Sequence, residues 1–292
     1  MTRVARRLGR KFRVPFREFR VFRGRTFSMS DFKNFFGVAP SDQNALDVFA
    51  GEWSSSPPAS RPELKAGATP LFGDPRLIWA GDRFGEMGLS GGFVGRDVLE
   101  LGPLEGGHTY FLDRLGAKSV TAVEAATRAY LKCLIAKETF GMSARVRFLL
   151  GDCLEFLRAT DRTFDIGVAC GILYHQTNPV ELLELLAKRC NAIFLWTVFY
   201  DPEFIAALPE PDKRFSPATP MEHAGFKHVV HKFNYGASLD WKGFCGGGEL
   251  YSYWMEKPDI LAALQRFGFG DFHVQQQPNV HGSALLLTAR KI

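Results

Sequence analysis

Three carboxylates and a cluster of glycines are spaced in this chain as groups that hold a small ligand. Glu100 precedes a loop in Leu99 to Thr109, LELGPLEGGHT, which carries Gly102, Gly106 and Gly107. Glu124 stands 22 residues after Gly102, and Asp152 lies in the tripeptide GDC. A glycine-bearing loop between a strand and a helix lets the backbone approach a ligand closely, and an acid about 20 residues further on is placed to accept hydrogen bonds from ribose hydroxyls. The dinucleotide fingerprint G-x-G-x-x-G needs its middle glycine against the pyrophosphate. Aligning Gly102 and Gly107 with its ends puts Leu104 at that position. Glu100 would also meet a diphosphate with like charge. Both features count against NAD and FAD, and an acid at Glu100 suits a ligand with a cationic amino-acid end. Asp152 is placed to accept from an adenine amino group.

The elements that must position these acids can be read from the hydrophobic pattern. From residue 97 onward strands and helices alternate: DVLEL, SVTAVE, RVRFLL, FDIGVAC and AIFLWTVF are strands, and helical patterns separate them. Buried strands rich in Val, Ile and Leu in such alternation predict a parallel sheet covered on both faces. DFHVQQQ and ALLLTAR close the chain as strands near enough to pair antiparallel. The expected fold class is therefore α/β, a doubly wound, mostly parallel sheet with a C-terminal antiparallel strand pair and an N-terminal helical cap. The expected organisation is a basic arm at 1–30, the cap and a linker at 31–95, and the main domain at 96–292. The main domain carries an aromatic-rich insertion at about 200–250. Glu100, Glu124 and Asp152 then fall at strand ends along one edge of the sheet, where open α/β sheets bind ligands.

With ELGPLEGG, VEA and GDC in that order, the chain resembles the class I S-adenosylmethionine-dependent methyltransferases over about residues 96–292. The resemblance implies S-adenosylmethionine as cofactor, with Gly102 and Gly106 shaping the methionine pocket and Glu124 on the ribose. It further implies that Asp152 and the Cys153 backbone face adenine, and that Cys170 and Gly171 lie beside the sulfonium. The segment GILYH, followed by a proline, also resembles the enzymes that carboxymethylate the wobble uridine of tRNA with a carboxylated relative of the same cofactor.

Methyl transfer from a sulfonium is an in-line displacement in which positioning does much of the work. A base is needed when the nucleophile is an alcohol or phenol. Tyr174 and His175, just past the fourth strand, are the catalytic candidates, and the imidazole could take a hydroxyl proton. His223, His228 and His231 form a histidine cluster, but no carboxylate or cysteine completes a recognised ligand spacing, so no metal site is expected. In a helix, His228 would pair with His231. Phe226, Phe233, Tyr235, Trp241, Phe244, Tyr251, Tyr253 and Trp254 are expected to shape the acceptor pocket, with Trp53 and Trp79 of the cap in the lid or anchoring it.

Charge divides the 292-residue chain unevenly. Residues 1–25 hold ten Arg or Lys and one acid, a net of +9, whereas the remainder carries −4. A mildly acidic body is a poor broad nucleic-acid platform, and the basic arm suits an anionic membrane surface or RNA phosphates. Cys133, Cys153, Cys170, Cys190 and Cys245 show no CxxC spacing, which points to a reducing compartment and a cytoplasmic protein, peripheral to a membrane if the arm meets lipid. The reading with most support is a methyltransferase acting on an oxygen of a small molecule or of a glycan- or lipid-linked precursor. Its alternatives are a tRNA-modifying (carboxy)methyltransferase and a non-catalytic regulator that binds S-adenosylmethionine.

Overall fold

The computed structural model describes residues 36–208, 214–240, 246–279 and 282–292. Residues 41–292 form one compact unit, to which the following applies. The expected basic arm lies outside the described residues.

The unit opens with two helices set by their caps. Ser41 Oγ accepts from Asn44 N at the start of α1 (Asp42–Asp47). Asp74 caps α2 (Pro75–Glu86) by accepting from Arg76 N, with Pro75 in the first turn, where its missing N–H costs nothing. Five strands follow with helices between them: β1 (Asp97–Leu101), α3 (Gly107–Arg114), β2 (Ser119–Glu124), α4 (Thr127–Thr139), β3 (Val146–Leu150), α5 (Cys153–Ala159), β4 (Phe164–Cys170), α6 (Pro179–Arg189) and β5 (Cys190–Phe199). After β5 come α7 (Pro202–Ala206), β6 (Thr219–His223), β7 (Phe226–Asn234), β8 (Tyr251–Met255), α8 (Lys257–Arg266), β9 (Phe269–Asn279) and β10 (Gly282–Lys291).

The main sheet has the order β3-β2-β1-β4-β5-β10-β9. Its first five strands are parallel, and β10 runs antiparallel to both β5 and β9. The doubly wound sheet with an antiparallel end pair is thus present as expected. Alternation along β1 sends Leu99 and Leu101 into a core with Leu157, Leu182, Leu186 and Leu264, while Val98 joins Leu77, Phe84, Phe148 and Phe194 on the other face. The chain leaves β1 toward β2 on one side, and later elements build out through β4 on the other. The crevice this reversal opens is at the carboxyl ends of β1 and β4.

The stretch 200–250 contains more order than its composition suggests. β6, β7 and β8 form a separate antiparallel sheet, and β6 turns into β7 through Ala224 and Gly225, both at positive φ (47° and 74°). His228 and His231 therefore lie on a strand, not a helix. Each has its own neighbour: His228 stacks on Phe226, and His231 stacks on Tyr200 and bonds Glu256 at 3.0 Å. His223 bonds Glu184 at 2.8 Å. Among the described residues no group of three or more His, Cys, Asp or Glu is placed to hold a metal ion. No described helix is long and apolar enough to cross a membrane.

Candidate active site at the carboxyl edge of the sheet

A cavity of about 470 Å³ opens at the crevice between β1 and β4. Gly102, Glu124, Asp152, Cys153, Cys170, Gly171, Tyr174 and His175 all line it. Residues from four strand ends and from the short 3-10 turn Leu173–His175 are thereby brought to one place.

The loop after β1 is built on left-handed backbone. Gly102 has φ +67° and Gly106 has φ +79°, and a side chain at Gly102 would meet Ile172 at 3.3 Å. Leu104, at the position where a dinucleotide loop has glycine, also has a positive φ of 57°. It is held there from both sides. Its N–H donates to Glu124 Oε2 at 3.0 Å, and its carbonyl accepts from Cys133 Sγ at 3.6 Å. Glu124 Oε1 accepts from Ala126 N at 2.8 Å. Burial raises the Glu124 carboxyl above its ordinary value, and these backbone N–H groups work against that rise. Asp152 caps α5, its Oδ1 accepting from Leu154 N and Glu155 N at 2.8 and 3.0 Å.

Two of the expected cofactor residues stand back from the cavity wall. Gly106 supports the loop from below, beside Phe148 and Met142. Glu100 is fully buried under α3, where Thr109 Oγ1 donates to its Oε2 and Oε1 has no partner among the described residues. Burial pushes its pKa up to about 7, against the pull of the His108 charge and the Thr109 bond.

The N-terminal segment, expected to supply Trp53 and Trp79 to the lid or its anchor, contributes different residues to the cavity. Leu71 and Arg76 also line the cavity. Asp74 Oδ2 bonds His108 Nε2 at 2.9 Å, and Arg76 Nε reaches the same carboxylate at 2.9 Å. Burial alone would neutralise His108. Cys170, the bond to Asp74 and the charge of Glu100 outweigh it and raise the imidazole pKa to about 10. Burial likewise opposes the Asp74 charge, but the bonds from His108 and Arg76 hold its carboxyl well below the usual range. The guanidinium of Arg76 lies 4.6 Å over the ring of Trp196, which also lines the cavity.

Glu105, inside the opening loop, is a second unforeseen anchor. It is fully buried, bonds Lys132 Nζ at 2.7 Å, and accepts from the N–H groups of Ser54 and Ser55 at 2.9 and 2.8 Å. The N-terminal segment is also pressed against α3. A Cβ added at Gly107 would sit 2.7 Å from Leu71 Cβ and 2.9 Å from the Leu71 backbone. Gly107→Ala should therefore destabilise the fold by about 1–3 kcal/mol, although alanine is the better helix former. Urea unfolding measures this, and a stabilised variant would show that the segment yields freely.

Tyr174 and His175 sit side by side with ring centres 4.1 Å apart. His175 Nδ1 and the Tyr235 hydroxyl are 2.9 Å apart, and the same hydroxyl accepts from Gly247 N at 3.3 Å. Burial lowers the His175 pKa to about 4. The expected aromatic wall is one layer further back. Trp254 packs on Tyr174 at 5.7 Å and stacks on Phe233 at 4.9 Å, so β7 and β8 brace the Tyr174–His175 turn from behind. The wall itself is formed there by Trp196 and by Gly246 to Glu249. Trp241 and Phe244 lie outside the described residues. Trp53 donates to Leu46 O at 2.8 Å, and Trp79 packs near Phe194, so both anchor the N-terminal helices.

Comparison with known proteins gives the fold its class. The N-terminal domain of EvdMO1 with SAH bound matches 86% of this chain and 95% of its own length, with a TM-score of 0.62 and 19% identity. The same domain in the presence of SAH and D-fucose matches with a TM-score of 0.61 over the same shares. The chain therefore shares the fold of that SAH-bound domain, with the mostly parallel sheet and antiparallel end pair expected from the sequence. In sequence, 110 residues are 31% identical to a tRNA U34 carboxymethyltransferase of Campylobacter hominis, covering 37% of this chain and 38% of that protein. The chain thus matches little more than a third of that relative's length. No family model matches the chain.

Proposed function

We propose that the chain is an S-adenosylmethionine-dependent methyltransferase that methylates an oxygen of a small molecule or of a glycan- or lipid-linked precursor. One observation carries the reading. A single cavity joins Gly102, Glu124 and Asp152 to Cys170, Gly171 and the Tyr174–His175 turn. Glu124 accepts the ribose hydroxyls with the lone pairs its two backbone bonds leave, and Asp152 and the Cys153 backbone face adenine. Gly102 and Gly106 shape the methionine pocket, Glu100 sets the charge beneath it, and Cys170 and Gly171 flank the sulfonium. When bound, the cofactor supplies an activated methyl group. The chain's own work is to align the acceptor oxygen and to receive its proton.

His175 is the group placed for that proton. The tautomer that donates Nδ1–H to Tyr235 leaves Nε2 as the acceptor, and Tyr174 beside it orients the acceptor hydroxyl. A pKa near 4 keeps the ring neutral at neutral pH, and a weak base suffices because the oxygen becomes acidic as its bond to carbon forms. His175→Ala should lower turnover by about 10²–10⁴-fold while leaving cofactor affinity unchanged. In the wild type, the loss of rate assigned to this ring should come near pH 4. An inflection near 6.5 that vanishes in His175→Ala would mean the ring is not buried in the working enzyme. The depressed value also removes stability as pH falls from 6.5 toward 4, because the unfolded chain takes the proton first.

Calorimetric titration with S-adenosylmethionine, S-adenosylhomocysteine and NAD tests the reading. Micromolar binding of the first two and none of NAD is expected, and NAD binding alone would overturn it. An acceptor screen for S-adenosylhomocysteine release then separates the enzyme from a regulator that binds without turnover. The partial likeness to the tRNA U34 carboxymethyltransferase favours a second reading, a tRNA-modifying enzyme. That reading requires salt-sensitive tRNA binding that is lost when residues 1–25 are removed.

A further inference from the structure

We infer that Arg76 binds an anionic group of the acceptor, a carboxylate or a phosphate, and that the molecule methylated is therefore an acid. The inference rests on the methyltransferase reading and adds the acceptor's chemical class to it.

Arg76 lines the cavity from the first turn of α2, and its guanidinium lies over Trp196. Trp196 is on β5, paired in register with Cys170 of β4. Glu124 and Asp152, assigned to ribose and adenine, are at the ends of β2 and β3 on the other side of β1. Arg76 therefore stands on the β5 side of Cys170 and Gly171, over the Trp196 ring that Tyr174 also packs against, and away from the strand ends assigned to ribose and adenine.

Asp74 takes Nε and Nη2 of Arg76, and Nη1 makes no hydrogen bond among the described residues. The bond to Asp74 and the stacking on Trp196 hold the planar fork in one orientation, so a ligand oxygen meets a donor already aimed. Glu249 also lines the cavity at this end without pairing to either cation among the described residues, and Asp74 alone is shared by Arg76 and His108, which leaves positive charge around the guanidinium. A bound sulfonium would add to it. An acceptor that brings a negative charge relieves that repulsion, and a neutral or cationic one does not.

The test uses the full chain with inorganic phosphate and with acetate as probes, at constant ionic strength set by chloride. S-adenosylhomocysteine affinity is first measured for the wild type, Arg76→Gln and Arg76→Lys by calorimetry. The loaded proteins are then titrated with each anion. The expected result is saturable millimolar binding of at least one anion to the wild type, weakened about tenfold in Arg76→Gln, with S-adenosylhomocysteine affinity held within about twofold. Arg76→Lys keeps the charge and loses the fork, and it serves if the glutamine variant unfolds. It should weaken the same anion by about threefold, and unchanged binding there would count against the inference. Flat anion titrations of the wild type overturn the inference, as does equal anion binding in Arg76→Gln. A roughly tenfold loss of S-adenosylhomocysteine affinity in Arg76→Gln overturns it as well, by assigning the guanidinium to the cofactor's own carboxylate. If the wild type binds no S-adenosylhomocysteine, the methyltransferase reading fails. The anion titrations of the unloaded protein then still decide whether Arg76 is an anion site.

Discussion

Glu124→Ala should weaken S-adenosylhomocysteine binding by about 10- to 100-fold, or roughly 1.5–3 kcal/mol. Two losses add in this variant. On the proposed reading the ribose hydroxyls lose their acceptor, and the loop loses the bond that holds Leu104 N at 3.0 Å. Leu104 keeps a positive φ of 57° only because its neighbours impose it, so the loop should relax toward ordinary backbone once that bond is gone. Glu124→Gln separates the two losses. Its amide oxygen can still accept from Leu104 N, whereas its NH2 then faces the Ala126 N–H that Oε1 accepts from in the wild type, and offers the ribose no acceptor. It should fall between the wild type and the alanine variant. Calorimetry reads both, and an alanine variant of wild-type affinity would remove Glu124 from the ribose site.

Lys132→Met should cost about 3–5 kcal/mol of stability, the range for breaking a buried ion pair by removing one partner. Lys132 Nζ bonds Glu105 and the Glu52 carbonyl, each at 2.7 Å, and lies 5.6 Å over the Trp53 ring. With the lysine gone, the fully buried Glu105 carboxylate keeps only the Ser54 and Ser55 N–H groups. The double variant Lys132→Met, Glu105→Gln should recover part of the loss, because no charge is then left buried without its counter-ion. Denaturant unfolding of both supplies the comparison. Equal stability of Lys132→Met and wild type would mean that the loop and the N-terminal segment are not joined through this pair. The same variant should weaken S-adenosylhomocysteine binding, since Glu105 belongs to the loop that carries Gly102 and Leu104.

Local sequence was sufficient for everything that depends on periodicity and on strand-end chemistry. The five parallel strands, the helices between them and the final antiparallel pair follow from runs of buried apolar residues at strand and helix spacing. Glu124 and Asp152 are legible for the same reason, because one ends a strand, the other follows one as a helix cap, and the fold puts such ends on one edge. Where the period is masked, the reading stops. FKHVVHKFN is a strand whose alternation is broken by histidines and lysines, and its order comes from pairing with β6 and β8. Long-range packing decided the rest. No spacing links Asp74 to His108, 34 residues later, or Glu105 to Ser54, 51 residues earlier. Those contacts exist because the first helices fold over the glycine loop, and Gly107 permits the approach by carrying no side chain against Leu71. Burial also reset the chemistry of residues the sequence had named. It removed Glu100 from the cavity wall and raised its pKa to about 7, and it took His175 from 6.5 to about 4. The residue types were legible from the chain alone. Their protonation and their partners depend on which groups lose contact with water, and that is determined only when distant segments pack together.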